Sequence, residues 1–133
     1  MTTSEMTTAN FADMINTGTV LVDWWASWCG PCRAFAPIYE AAAARHPEVV
    51  FAKVDTEAEG GLAAALQIRA IPTLMVFRDG VLVYREAGAM PPRALDELLK
   101  RVAAIDMDDV RRKLAAADAV VARRPELRED RRA

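Results

Sequence analysis

The sequence predicts an α/β fold: a central mixed β-sheet flanked by helices, with one further helix added at the C-terminus. Three observations predict it. Two Val-rich apolar runs, 19–26 and 49–55, read as strands covered on both faces, the kind found centrally in parallel sheets. A helix-periodic stretch lies between them, which is how a parallel crossover is spaced. Near the middle of the chain, Arg78-Asp79-Gly80 joins two more apolar runs as a hairpin, because Asp-Gly accepts the positive φ values of a type I′ turn.

In order, Ser4-Glu5-Met6 suggests a brief edge strand. Residues 7–17 read as a short helix, with Phe11, Met14 and Ile15 at helical spacing and Gly18 after its end. The run 19–26 is the first central strand, and Asp23 inside it is anomalous. From Cys32 to Arg45 the pattern turns helical through Phe35, Ile38 and Tyr39. Pro37 should kink that helix rather than end it, and His46-Pro47 stops it. The strand 49–55 follows, with one charge inside it, Lys53. Residues 57–67 read as a helix weakened by Gly60-Gly61. Ile71-Pro72 breaks the chain before the strand 73–77, the hairpin turn, and the partner strand 81–86, closed by Gly88. Pro91 and Pro92 lead into a helix over about residues 93–104, carrying Leu95, Leu98, Leu99 and Val102.

A chain of 133 residues with 53% apolar side chains is enough for one core and too short for two. A net charge of −2 leaves no basic footprint for nucleic acid. No run of about 18 uncharged apolar residues exists to span a bilayer. The first residues include Glu5 and Asp13 and lack the basic start and apolar run of a signal peptide. The expectation is a soluble, cytoplasmic protein with neither nucleic acid nor membrane as partner. In that compartment a lone cysteine pair is more often catalytic or metal-binding than structural.

That pair is Cys29 and Cys32, in Trp28-Cys29-Gly30-Pro31-Cys32, where the strand gives way to the helix. A thiolate attacks disulfides and a thiol does not, so a reactive cysteine needs a feature that favours its charge. The free N–H groups and dipole of a helix N-terminus supply it. Cys29, first to emerge from the strand, is expected to be the exposed nucleophile, and Cys32, in the first helical turn, the resolving thiol. Attack by Cys29 gives a mixed disulfide that Cys32 displaces. Structural zinc is the rival use of these thiols. It usually takes four Cys or His ligands, and the chain offers Cys29, Cys32 and His46, so no metal is expected. A purely structural disulfide closing so small a ring would restrain little of the unfolded chain. His46 reads as a solvated residue at a helix C-terminus.

With their surroundings, these residues closely resemble the thioredoxin family. The resemblance covers about residues 4–104. It rests on Val22-Asp23-Trp24-Trp25-Ala26 before the dithiol, Ala36-Pro37, Ala52-Lys53-Val54-Asp55, Ile71-Pro72-Thr73, Asp79-Gly80 and Gly88-Ala89. It implies a thioredoxin fold and a thiol-disulfide oxidoreductase that reduces protein disulfides. Thioredoxin reductase is the implied partner. No cofactor is bound, and NADPH enters only indirectly, through that reductase. A Gly-Pro pair between the cysteines favours a reductant over an oxidase within the family.

Asp23 matches the family's buried acid, assigned to taking the proton from the resolving cysteine. Lys53 matches the lysine that neighbours it. A carboxylate in a covered strand is costly, and a raised pKa is one outcome; the structural alternative is a buried ion pair. An Ile-Pro bond is trans by default, yet the family's matching proline is cis, which makes Pro72 a cis-proline by resemblance. Ile71 would then pair with an extended substrate strand through its backbone. Trp28, Gly30, Pro31, Ile71, Gly88 and Ala89, with Pro72, would form an apolar substrate platform.

The departures lie elsewhere. Trp24 replaces the usual Phe, and the chain continues past the expected end of the domain, 1–104. Residues 105–124 predict a helical extension: Asp106, Asp108 and Asp109 open it and Arg123 and Arg124 close it, the order a helix dipole favours, with Val110, Leu114, Ala117 and Val121 as a stripe. Residues 125–133 are mostly charged and predict a disordered tail. A monomer is expected, with dimerisation through the added helix as the alternative. A rival reading of the whole chain, an adaptor subunit with incidental redox activity, rests on this extension.

Overall fold

The computed structural model describes residues 3–123, so the charged tail predicted over 125–133 lies outside the described residues. The elements are β1 (Thr3–Glu5), α1 (Phe11–Ile15), β2 (Thr19–Trp25), α2 (Gly30–Arg45), β3 (Val50–Asp55), α3 (Gly60–Ala65), β4 (Thr73–Arg78), β5 (Val81–Ala87), α4 (Pro92–Ala103) and α5 (Met107–Ala122). They form two compact units, one ending at Ala103 and the other beginning at Ala104.

In the first unit the sheet order is β1-β3-β2-β4-β5. β3 runs parallel to both β1 and β2, whereas β4 is antiparallel to β2 and β5 to β4. β2 is therefore central, and five consecutive residues of it, Val20–Trp24, are buried. Alternation divides its side chains between two layers. Val20, Val22 and Trp24 pack with Met6, Ala52, Val54, Met75 and Phe77, against Phe11, Met14 and Ile15 near α1 and Leu62 and Ala63 of α3. Leu21 and Asp23 point the other way, to the layer that holds Tyr39 of α2. Tyr39 touches Phe35 and Phe51 at ring distances of 5.7 and 5.1 Å. Each such buried apolar side chain contributes ~1.5–3 kcal/mol.

Two helices are shorter than the sequence predicts, and each loses its first turn to a polar side chain. Thr7 N–H donates to Asn10 Oδ1 at 2.7 Å and Asn10 N–H to Thr7 Oγ1 at 3.3 Å, so residues 7–10 close into a turn and α1 starts at Phe11. Asp55 Oδ1 accepts from Glu57 N–H at 2.9 Å, holding 55–58 in an Asx-turn and delaying α3 to Gly60. The hairpin has the predicted geometry, with Asp79 at φ 50° and Gly80 at φ 83°. α2 runs unbroken through Pro37.

In the second unit, Asp106 caps α5 by accepting the Asp109 N–H at 3.1 Å, and Met107 is buried. Of the predicted stripe, Leu114 and Ala117 are exposed and Val110 and Val121 half-buried.

Candidate active site

The site is built where β2 ends. Cys29 adopts an extended conformation (φ −82°, ψ 113°) as the N-cap of α2. Its N–H donates to Ala26 O at 3.1 Å, and the Cys32 N–H donates to its Sγ at 3.2 Å. The thiol therefore takes the place a capping hydroxyl or carboxylate usually holds, against orphan N–H groups of the first turn. The helix starts at Gly30, earlier than predicted, because Pro31 in the first turn gives up an N–H that has no helical partner there. Both cysteines are free thiols. Cys29 is not exposed as expected: 5% of its surface is accessible, against 2% for Cys32. Trp25 and Ile71 pack on the cluster of Ala26 and the two cysteines, and the Ile71 carbonyl lies 3.7 Å from Cys29 Sγ. Burial, and then the hydrogen bond with Cys29, pushes the Cys32 thiol up to about 12.

Asp23 is 1% exposed, and neither carboxylate oxygen has a hydrogen-bond partner. Burial pushes its pKa up to about 7, opposed by the positive charge of Lys53. Lys53 is opposite Asp23 in the β2–β3 register, but its Nζ lies 4.7 Å from the centre of the Trp25 ring and makes no ion pair with Asp23. The buried ion pair weighed as an alternative is thus absent among the described residues, and Asp23 stays a desolvated acid beneath the dithiol.

The Ile71–Pro72 peptide bond is cis. Gly88, at φ 106°, donates its N–H to Pro72 O at 2.7 Å, which ties the end of β5 to this loop. Trp28, Gly30, Pro31, Gly88 and Ala89 are all exposed, Trp28 to 65%. Among the described residues, no group of three or more His, Cys, Asp or Glu side chains is gathered as metal ligands would be. His46 is not the solvated residue expected. Half-buried, it stacks on Phe51 and lies 2.7 Å from Asp96 Oδ1 through Nε2, linking the end of α2 to α4, because its ring caps the apolar end of β3.

Two residues near the site escaped the sequence reading. The Tyr39 hydroxyl lies 3.0 Å from Leu21 O and 2.7 Å from Ala52 O, on the Asp23 side of the sheet, and helical periodicity marks it only as core. Glu57 Oε1 accepts the Trp28 indole N–H at 2.7 Å, across 29 residues of sequence. The one available signal was Asp55, whose turn-forming side chain sets where Glu57 sits.

The chain that carries this capped dithiol, buried acid and cis-proline loop is similar to known proteins. The family model described as Thioredoxin matches residues 2–124. A putative thioredoxin 2 of Streptomyces coelicolor is 46% identical over 118 residues, covering 88% of each chain. The chain belongs to the thioredoxin family. A thioredoxin of Chlamydia trachomatis is 41% identical over 92 residues, 69% of this chain and 90% of that one. Among solved structures, the oxidised mitochondrial thioredoxin 3 of Saccharomyces cerevisiae superposes with a TM-score of 0.69 at 29% identity, covering 74% of this chain and 94% of the other. Plasmodium falciparum thioredoxin gives 0.68 at 33%, covering 74% and 97%. The thioredoxin fold and thiol-disulfide oxidoreductase activity on protein disulfides follow. No described helix is long and apolar enough to cross a membrane.

Proposed function

We propose that this thioredoxin reduces protein disulfides by a two-step exchange in which Cys29 attacks and Cys32 resolves. The Cys29 thiolate bonds to one sulfur of the substrate, whose other sulfur leaves as a thiolate. Cys32 then loses its proton to Asp23 and attacks Cys29 Sγ, which forms the Cys29–Cys32 disulfide and releases the second substrate thiolate. Two electrons pass from the dithiol to the substrate.

The observation that carries this reading is the Cys32 N–H donated to Cys29 Sγ at the start of α2, which sets that sulfur, and not the Cys32 sulfur, against the open N–H groups of the helix. A desolvated acid with a pKa near 7 supports Asp23 as the base for a thiol as reluctant to ionise as Cys32. Lys53 modulates that acid through its charge. Ile71, Pro72, Gly88 and the exposed Trp28, Gly30, Pro31 and Ala89 form the platform for an extended substrate segment.

In the cell, a cytoplasmic thioredoxin reductase drawing on NADPH would return the disulfide to the dithiol, with the protein acting as a monomer. Reduction of insulin by the protein, NADPH and a thioredoxin reductase tests the cycle, and NADPH consumption with insulin is the expected result. Cys32→Ser should stall at the mixed disulfide and hold substrates covalently. Capture that survives Cys29→Ser in addition would reverse the assignment of nucleophile.

A further inference from the structure

We infer that Glu57 is a positioning and specificity residue of this site: it fixes the Trp28 indole at the rim of the substrate platform and favours substrate segments with basic side chains beside the disulfide. The inference rests on the proposed platform. Trp28 precedes the nucleophile directly and is 65% exposed, so packing leaves most of its ring unrestrained. Its indole Nε1–H donates to Glu57 Oε1 at 2.7 Å, a short, charge-assisted contact.

Glu57 is itself held from both sides. Thr56 N–H and Thr56 Oγ1 donate to Trp25 O at 2.9 and 3.0 Å, which staples the β3–α3 loop to the end of β2. Asp55 Oδ1 accepts the Glu57 N–H at 2.9 Å and the Ala58 N–H at 3.4 Å, which fixes the turn. The loop and the dithiol turn thus leave the same end of the sheet, and a single carboxylate joins them. Indole binding occupies Oε1 without neutralising the charge, so a carboxylate faces solvent beside the cleft. Arg33, the charged residue just after the dithiol, has Nη1 turned to Ser27 O at 3.0 Å.

Two variants separate the two effects. Glu57→Gln keeps an acceptor for the indole and removes the charge; Glu57→Leu removes both. The substrates are two disulfide-linked peptides that differ by Lys or Glu next to the cysteine, reduced in single turnover by the pre-reduced protein. Solvent exchange of the Trp28 Nε1–H, assigned with Trp28→Phe, is followed by NMR.

The wild-type protein should favour the Lys peptide by about two- to fivefold, the scale of an exposed ion pair, and less as salt rises. Glu57→Gln should bring that ratio close to one with the indole still protected. Glu57→Leu should also lose indole protection and raise half-saturation for both peptides more than it lowers the limiting rate. Unchanged exchange in Glu57→Leu, or an unchanged peptide ratio in Glu57→Gln, overturns the inference. Equal rates for the two peptides in the wild type overturn it alone, whereas reduction of neither overturns the dithiol reading with it.

Discussion

The two sixteen-residue helices of the molecule, α2 and α5, begin in the same way and are used differently. Each opens with an extended residue whose side chain accepts an N–H three positions on: Cys29 Sγ from Cys32 at 3.2 Å, Asp106 Oδ1 from Asp109 at 3.1 Å. In α5 the acceptor is a carboxylate, and Asp108 and Asp109 follow in the first turn, so the helix end meets fixed negative charge. In α2 the acceptor is a thiol and the first turn has no acid, so a sulfur sits where α5 carries fixed negative charge. α2 also buries Cys32, Phe35, Tyr39, Ala42 and Ala43, whereas α5 buries Met107. The capping geometry is common; what sets α2 apart is a thiol as the cap and a helix that is firmly packed behind it.

The strongest way to break the comparison is to give α2 a cap that cannot do redox chemistry. Serine caps helices well. Cys29→Ser should therefore keep the melting temperature within a few degrees while insulin reduction falls to background, and a variant that loses its fold as well as its activity would show that the thiol is also structural. Next in size is Asp23→Asn. If Asp23 takes the Cys32 proton, this substitution should slow release of the second product by up to ~10²-fold and abolish its rise with pH through about 7, with the first attack little changed. Release that stays fast across pH 6 to 9 would remove Asp23 from the mechanism.

The same residue makes a stability prediction of opposite sign. Its folded pKa, about 7, lies above the ordinary 3.8, so between those values the folded state binds more protons than the unfolded one. Stability contributed by Asp23 therefore falls as pH rises through that window. At pH 8 the charged, buried carboxylate costs at most ~4 kcal/mol, and Asp23→Asn should be the more stable protein, with the gain fading towards pH 4. Denaturant melts at the two pH values check it. Function would then be retained at the expense of stability, which α5, with every acid near solvent, never has to do.

How much of this was legible depended on whether a feature is local. The strands over 19–26 and 49–55, the Asp79-Gly80 turn and the Asp106 cap announce themselves within a few residues, and Cys29, Cys32 and Asp23 stood out because thiols and a carboxylate sat in apolar surroundings. The first turns of α1 and α3 did not, because Asn10 and Asp55 side chains compete with helical hydrogen bonds and propensity does not decide that contest. Nor did the burial of Cys29, which Ile71 brings about from 42 residues away, or the Lys53 ammonium lying over Trp25 instead of reaching Asp23. Composition and spacing show which groups a strand carries, but not which neighbour a long side chain chooses.

The smallest effect belongs to the other helix. Asp106→Ala removes the α5 cap and leaves the Asp109 N–H without its acceptor, at a cost of about 1 kcal/mol. α5 lies in the unit that begins at Ala104, so the cost should appear there alone: faster amide exchange over the first turn, with protection of β2 and α2 preserved. Insulin reduction should stay at the wild-type rate. Asp106→Ser, which restores an acceptor, should recover most of the protection. If instead Asp106→Ala slowed reduction, the two helix ends would be energetically linked, and the assignment of chemistry to one cap and structure to the other would fail.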